Sequence, residues 1–178
     1  MKHLHFAFAA LILVSCAEMA PAPVVKYKDA EQPLPADYKS WPKFLGDIQR
    51  PDVKQVRDIY VNARGYAASK GSTFPNGTVF VMENYKAAEN ADGSLQKGLD
   101  GKLVRGPLLR AFVMGKGEGW GVSAPEGLKN GDWVYASYGA DGKPTQDPIA
   151  PCRACHLPLT GKDFVHRYDE YFEKRGSY

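Results

Sequence analysis

The sequence lacks any apolar stretch long enough to cross a bilayer. Its one strongly hydrophobic run, Phe6 to Val14, has nine residues, and a helix rising about 1.5 Å per residue cannot bridge a hydrocarbon core of roughly 30 Å with so few. A surplus of one charge is also missing. Lys and Arg number 23 against 20 Asp and Glu, leaving +3, and the basic residues are scattered with no run of four. That excludes a disordered polyion and sets aside a nucleic-acid surface. At 178 residues and 44% hydrophobic content, the chain can close one sizeable core, and two full domains are not expected. Cysteine is scarce as well, with three residues at positions 16, 152 and 155. In an exported protein that count suggests one disulfide and a spare thiol, but these positions argue otherwise.

Lys2 precedes the apolar run, and Ser15-Cys16 ends it, as in the apolar core of a signal peptide. Leu13-Val14-Ser15-Cys16 resembles the bacterial lipoprotein box, in which the cysteine is lipidated and becomes the first residue of the mature chain. The competing reading is ordinary cleavage after Ala20-Pro21-Ala22, which Pro23 would hinder. The expected organisation is a signal peptide over 1–15, a tether over 16–35 and one folded domain over 36–178. Membrane contact is expected only through lipid on Cys16. The location is then the periplasmic side, with Ala17 after the cysteine leaning towards the outer membrane.

Cys152 and Cys155 stand in Cys152-Arg153-Ala154-Cys155-His156, the Cys-x-x-Cys-His arrangement of covalent c-type haem attachment. Two thiols three positions apart at the start of a helix can both reach the vinyl groups on one edge of the macrocycle. The next residue, His156, then turns its imidazole under the iron as proximal ligand. Pro151 suits a chain entering that helix. A thioredoxin-type pair would sit near the start of a βαβ unit rather than near the C-terminus. A structural zinc site needs two further ligands, and beyond the motif the mature chain offers only His166. The cofactor expected is therefore one haem c, held by two thioethers.

The rest of the chain reads as strands first and helices at the ends. Residues 17–49 are rich in Pro and Ala and read as a tether leading to a short turn of helix that Asp37 can cap. Arg57 to Val61 alternates like a strand, Asn62 caps a short helix through Lys70, and Phe74-Pro75-Asn76-Gly77 is a turn. Thr78 to Tyr85, Leu108 to Met114 and Asp132 to Tyr138 read as strands. A polar hairpin or loop over 90–105 and a glycine-dense segment over 115–131 separate them. Asp163 to Arg175 reads as a helix with Phe164, Tyr168, Tyr171 and Phe172 near one face. The fold class expected is α+β, mainly an antiparallel β-sheet with flanking helices and a C-terminal haem c attachment motif.

Several of these pieces, in this order, resemble the cytochrome P-460 family, which includes cytochrome c′-beta. They are Phe74-Pro75-Asn76-Gly77-Thr78-Val79 leading into a strand with Glu83, then Phe112-Val113-Met114 and Gly119-Trp120-Gly121. The late Cys-x-x-Cys-His followed by Asp163-Phe164-Val165 completes the set. The resemblance spans roughly residues 35 to 170. It implies a mostly antiparallel β fold, commonly a homodimer, enclosing a five-coordinate haem c. Its members bind nitric oxide, and some oxidise hydroxylamine. The sequence departs from the family in one respect. Where the cytochromes P-460 proper carry a lysine cross-linked to the haem, this chain has Met82, whose thioether cannot form that amine bond. Lys86 lies on the same strand face, displaced by about 13 Å at roughly 3.3 Å per residue. The departure counts against the cross-link and against hydroxylamine oxidation.

Function then turns on the far side of the iron. Phe80 and Met82 share one strand face, and with Met114 they are the candidate distal pocket. An apolar, open site suits a neutral diatomic such as nitric oxide or carbon monoxide. Met82 or Met114 as a sixth ligand would instead make an electron carrier with its own, unnamed redox partner; the alternative is that both methionines fill core. Oxidation of hydroxylamine needs a base, and the nearest carboxylates, Glu83 and Asp132, read as solvated. His166 reads as a surface or packing residue. Lys116 and Lys129 are candidate guides for an acidic partner. The ligand expected is a small gaseous or nitrogen-containing molecule, and no nucleic acid is expected.

Overall fold

The structure, a computed structural model, describes residues 25–176. The expected signal peptide and Cys16 lie outside them. Five strands form one sheet: β1 (Lys43–Arg50), β2 (Gln55–Val61), β3 (Val79–Ala87), β4 (Arg105–Lys116) and β5 (Trp133–Gly139). They lie in sequence order and every neighbouring pair is antiparallel. Among the described residues three α-helices accompany them: α1 (Ala63–Tyr66), α2 (Ala150–His156) and α3 (Tyr168–Lys174). The α+β class holds.

The register assigns each side chain to a layer. Val61, Phe80, Met114 and Tyr135 form one cross-strand row, and Ile59, Met82, Phe112 and Ser137 the next. Because side chains alternate across a pleated strand, both rows and Asn84 face one side. On that side Phe44, Phe74, Phe80 and Trp133 pack with Val165, Tyr168 and Tyr171 from the C-terminal segment. The opposite face buries Val81, Ala111, Val113, Ala136 and Tyr138 against Tyr38, Leu34 and Trp41.

β2 to β5 stand close to where alternation places them, and the hairpin over 90–105 is pinned by bridges between Glu89 and Leu95 and between Lys97 and Leu103. Asn62 accepts the Gly65 N–H at 3.0 Å and so caps α1, although α1 ends at Tyr66 rather than Lys70.

Three expectations are corrected. The first concerns β1, which lies in the segment read as tether and turn. Its pairing with β2 slips twice, between Lys43 and Leu45 and between Leu45 and Ile48, and Asp47 is left-handed at φ 53°. These bulges scramble the period of two, so the apolar residues do not alternate. The second concerns Asp37, which makes no side-chain cap; its carboxylate accepts from Trp41 Nε1 at 3.1 Å instead. The third is the helix expected from Asp163. The chain runs through a 3₁₀ segment, Leu157–Lys162, then turns left-handed at Asp163, Phe164 and Arg167 before α3 begins.

Close approach of backbone explains part of the glycine-dense segment. A Cβ on Gly121 would overlap the carbonyl oxygen of Gly131, so only glycine lets these two loops touch.

Candidate functional site

Pro151 stands in the first turn of α2, where its missing N–H leaves no bond unmade. The helix is fastened from beneath by Arg153, which is 1% exposed. Its guanidinium forms two bonds to the Asp29 carboxylate, at 2.6 and 2.8 Å, and another to the Trp133 carbonyl at 3.0 Å. Asp29 lies in the segment expected as a tether. There Ala30 N–H also bonds the Tyr135 carbonyl at 2.7 Å, so this stretch is docked along β5.

With α2 fixed, Cys152, Cys155 and His156 line a cavity of about 380 Å³ whose other wall is the sheet face carrying Phe80, Met82 and Met114. All six residues singled out around the haem thus meet in one space. No disulfide joins Cys152 and Cys155. Burial, and then the Asp29 carboxylate, push the Cys152 thiol pKa up.

His156 is oriented by a backbone group. Its Nδ1 lies 2.6 Å from the carbonyl oxygen of Phe164. A carbonyl can only accept, so Nδ1 carries the proton and Nε2 keeps a free lone pair, the state a metal ligand needs. Burial depresses the imidazole to about 4, opposed by the Phe164 bond and helped by His166, so at neutral pH the ring is uncharged. The Phe164 carbonyl points there because of the left-handed turn at Asp163. The Asp163 carboxylate takes the Phe74 N–H at 2.7 Å and the Lys116 ammonium at 2.8 Å, while its own carbonyl accepts from Trp133 Nε1 at 2.9 Å.

The cavity is apolar along Ile59, Phe80, Met82, Phe112 and Met114, and cationic where Arg50, Arg57 and Arg167 reach it. Two buried polar atoms among its lining residues have no protein partner, the Asn84 Oδ1 and the Tyr135 Oη. Burial drives the Tyr135 phenol well above its ordinary pKa, which keeps it a donor. A neutral imidazole, two thiols, apolar walls and a cationic, hydrogen-bonding margin together fit an amphiphilic planar group with an apolar body and an acidic edge, as a haem has. Among the described residues no group of three His, Cys, Asp or Glu is placed to hold a bare metal ion.

The sequence profile of cytochrome P460 matches residues 35–167, three quarters of the chain and every residue that lines the cavity. The chain belongs to the cytochrome P460 family. No curated protein matches it. Family membership implies haem binding, and the cavity is where these residues would hold it.

The remaining candidates are placed differently. Glu83 does alternate away from Met82, but it is not solvated. It is 0% exposed and accepts the hydroxyls of Tyr38 and Tyr85 at 2.7 and 2.6 Å on the opposite face of the sheet. Asp132 caps a turn by accepting the Gly119 N–H at 3.1 Å and does not line the cavity. Lys116 cannot guide a partner, being buried in its pair with Asp163. Lys129 is exposed and paired with Glu126. Lys86 pairs with Glu89 away from the cavity. His166 is exposed, yet it lines the cavity with its ring edge-on to His156 at 4.7 Å and its Nε2 3.4 Å from Cys155 Sγ.

Sequence reasoning missed Arg50, Arg57, Arg167, Asn84 and Tyr135. Asn84 was within reach of it, since it stands two residues beyond Met82 on the same strand face.

Proposed function

We propose that this domain carries one haem c, joined through Cys152 and Cys155 with His156 as axial ligand, and that its iron keeps an open distal position for nitric oxide or a related small nitrogen species. The observation that carries this reading is the shared cavity: the attachment motif opens onto the apolar face of Phe80, Met82 and Met114. When bound, the haem would supply an iron whose remaining position takes a small neutral ligand. The chain's own residues do the rest. His156 offers Nε2 while the Phe164 carbonyl holds its proton at Nδ1. Ile59, Met82 and Phe112 exclude water from the ligand side, and a neutral diatomic needs no donor or base from them.

Redox detoxification of that ligand extends the reading. It draws no support from a carboxylate base, because among the described residues lining the cavity none is Asp or Glu. The N-terminal pattern supports export and a lipid anchor at Cys16, on the periplasmic side of the outer membrane. Electron transfer with a methionine sixth ligand is the second reading, favoured by the presence of both Met82 and Met114 on the cavity wall.

The test is a ferrous absorption spectrum of the mature protein matured in a host that attaches haem c, before and after carbon monoxide or nitric oxide. A high-spin spectrum that shifts at once on adding gas is expected. A sharp low-spin spectrum indifferent to gas overturns the open site and leaves the electron carrier.

A further inference from the structure

Three guanidinium groups line the cavity: Arg50 at the end of β1, Arg57 on β2 and Arg167 in the turn before α3. Two have carboxylate partners. Arg50 bonds Asp52 at 2.9 and 2.6 Å, and Arg167 bonds Glu170 at 2.7 Å. Arg57 differs. Its Nε and Nη2 both donate to the neutral Gln55 amide oxygen, at 3.0 and 2.8 Å, and among the described residues it makes no ion pair.

A half-buried cation without a counter-charge is unfavourable, and here it stands among others of its own sign. Burial, then Arg50 and Arg167, weaken Arg57's hold on its proton, while Asp52 and Cys155 oppose them. Its Cα partner across the strand pair is Asn84, which is 6% exposed and has an unpartnered Oδ1. Amide oxygen and nitrogen are interchangeable by a half-turn of the side chain, so Asn84 can present either a donor or an acceptor. Asp58, next to Arg57 in the chain, is turned to the other face and held by Lys43 and Arg105.

We propose that Arg57 and Asn84 receive a propionate carboxylate of the haem, with Arg50 and Arg167 flanking it. The Arg57 guanidinium then gains the counter-charge that its own sheet withholds, and the Asn84 amide gains a partner. The apolar row of Ile59, Met82 and Phe112 offers a carboxylate nothing, so this margin also fixes which edge of the macrocycle enters where. The inference rests on the haem reading above.

Potentiometry of the haem-loaded full chain between pH 5 and 8 tests it, comparing the native protein with Arg57→Gln, Arg57→Lys and the exposed control Lys70→Gln. A cation beside the macrocycle favours the ferrous state, which carries one positive charge fewer. Arg57→Gln should therefore lower the potential and give it a slope with pH, because a propionate no longer held ionised titrates in that window. Arg57→Lys should fall between, and Lys70→Gln should coincide with the native protein. A potential and pH profile unmoved in Arg57→Gln, or moved equally in Lys70→Gln, overturns the proposal. So does an unmoved potential with weakened azide binding to the ferric protein, which would assign the cation to an iron-bound anion. If Arg57→Gln fails to fold, Arg57→Lys and Asn84→Leu carry the same test, with an unmoved profile again overturning it. Absence of thioether-bound haem in a pyridine haemochrome assay refutes the haem reading itself; attached haem with an unmoved potential refutes only this inference.

Discussion

The Nδ1 of His156 is bonded at 2.6 Å to the carbonyl oxygen of Phe164, a residue whose backbone is left-handed at φ 60°. The axial-ligand candidate is thus oriented by a turn, and the turn is held by Asp163. Replacing Asp163 with Ala leaves Lys116 buried without a counter-charge and the Phe74 N–H without its acceptor, a loss of about 3–5 kcal/mol for a broken buried pair. Asn tolerates the left-handed region and keeps an acceptor, so Asp163→Asn should lose less. Chemical denaturation measures both. In the haem-loaded protein the iron–histidine stretching frequency should shift in Asp163→Ala; an unchanged frequency would mean that the Phe164 carbonyl is held by something other than this turn.

Asp29 and Arg153 tie the N-terminal segment to the attachment helix across 124 positions of sequence. Arg153 is almost wholly buried, whereas Asp29 keeps a quarter of its side-chain exposure, so removing the aspartate strands a buried guanidinium. Asp29→Ala should destabilise the domain by about 3–5 kcal/mol. A truncation starting at residue 36 should behave the same way. A truncated domain as stable as the full chain would show that this segment adds nothing to the fold.

What the sequence made legible, and what it did not, follows from the range of the interactions. β3 is a local pattern, an alternation, and it stands where expected; the Cys152 to His156 motif is a local spacing, and it lies in α2 against the cavity. The joint placement of Phe80 and Met82 is also local, because a strand's period of two decides it. β1 was hidden because Gly46 and Asp47 bulge out of register, a distortion answered by Asp58 eleven positions away, whose carboxylate takes the Asp47 N–H. The break at Asp163 depends on Lys116 and Phe74, contacts 47 and 89 positions distant. Glu83 reads as solvated until Tyr38, 45 positions away, closes over it beside its strand neighbour Tyr85. Composition carries no trace of such pairings.

Asp58 supplies a pH dependence. Burial raises its carboxyl pKa, but bonds from Arg105, the Asp47 N–H and Lys43 outweigh that and bring it below its ordinary value of 3.8. A group whose folded pKa lies below its unfolded one contributes stability that is complete above the unfolded value and is lost as the pH falls through the folded one. The native protein should therefore lose this contribution only below about pH 4. Asp58→Asn should be less stable at pH 7 yet show a shallower decline between pH 5 and 3 in thermal melts. Parallel curves for the two proteins would remove Asp58 from the account of acid sensitivity.

Met82 separates the two functional readings most directly. It lies on the cavity wall between Ile59 and Phe112 in the cross-strand row, so a leucine there keeps the volume and the apolar surface while deleting the sulfur. Such a swap costs under about 1.5 kcal/mol, and the domain should remain folded. If the wall only shields an open iron, Met82→Leu should leave the ferrous spectrum, the potential and the response to carbon monoxide as they are, and Met114→Leu should do the same. If either sulfur is the sixth ligand, its leucine variant should turn a low-spin spectrum high-spin, lower the potential and admit the gas. Because Met114 is more deeply buried, at 8% exposure, and sits in the next row beside Phe80 and Tyr135, a change confined to one variant would also identify which row lies over the iron.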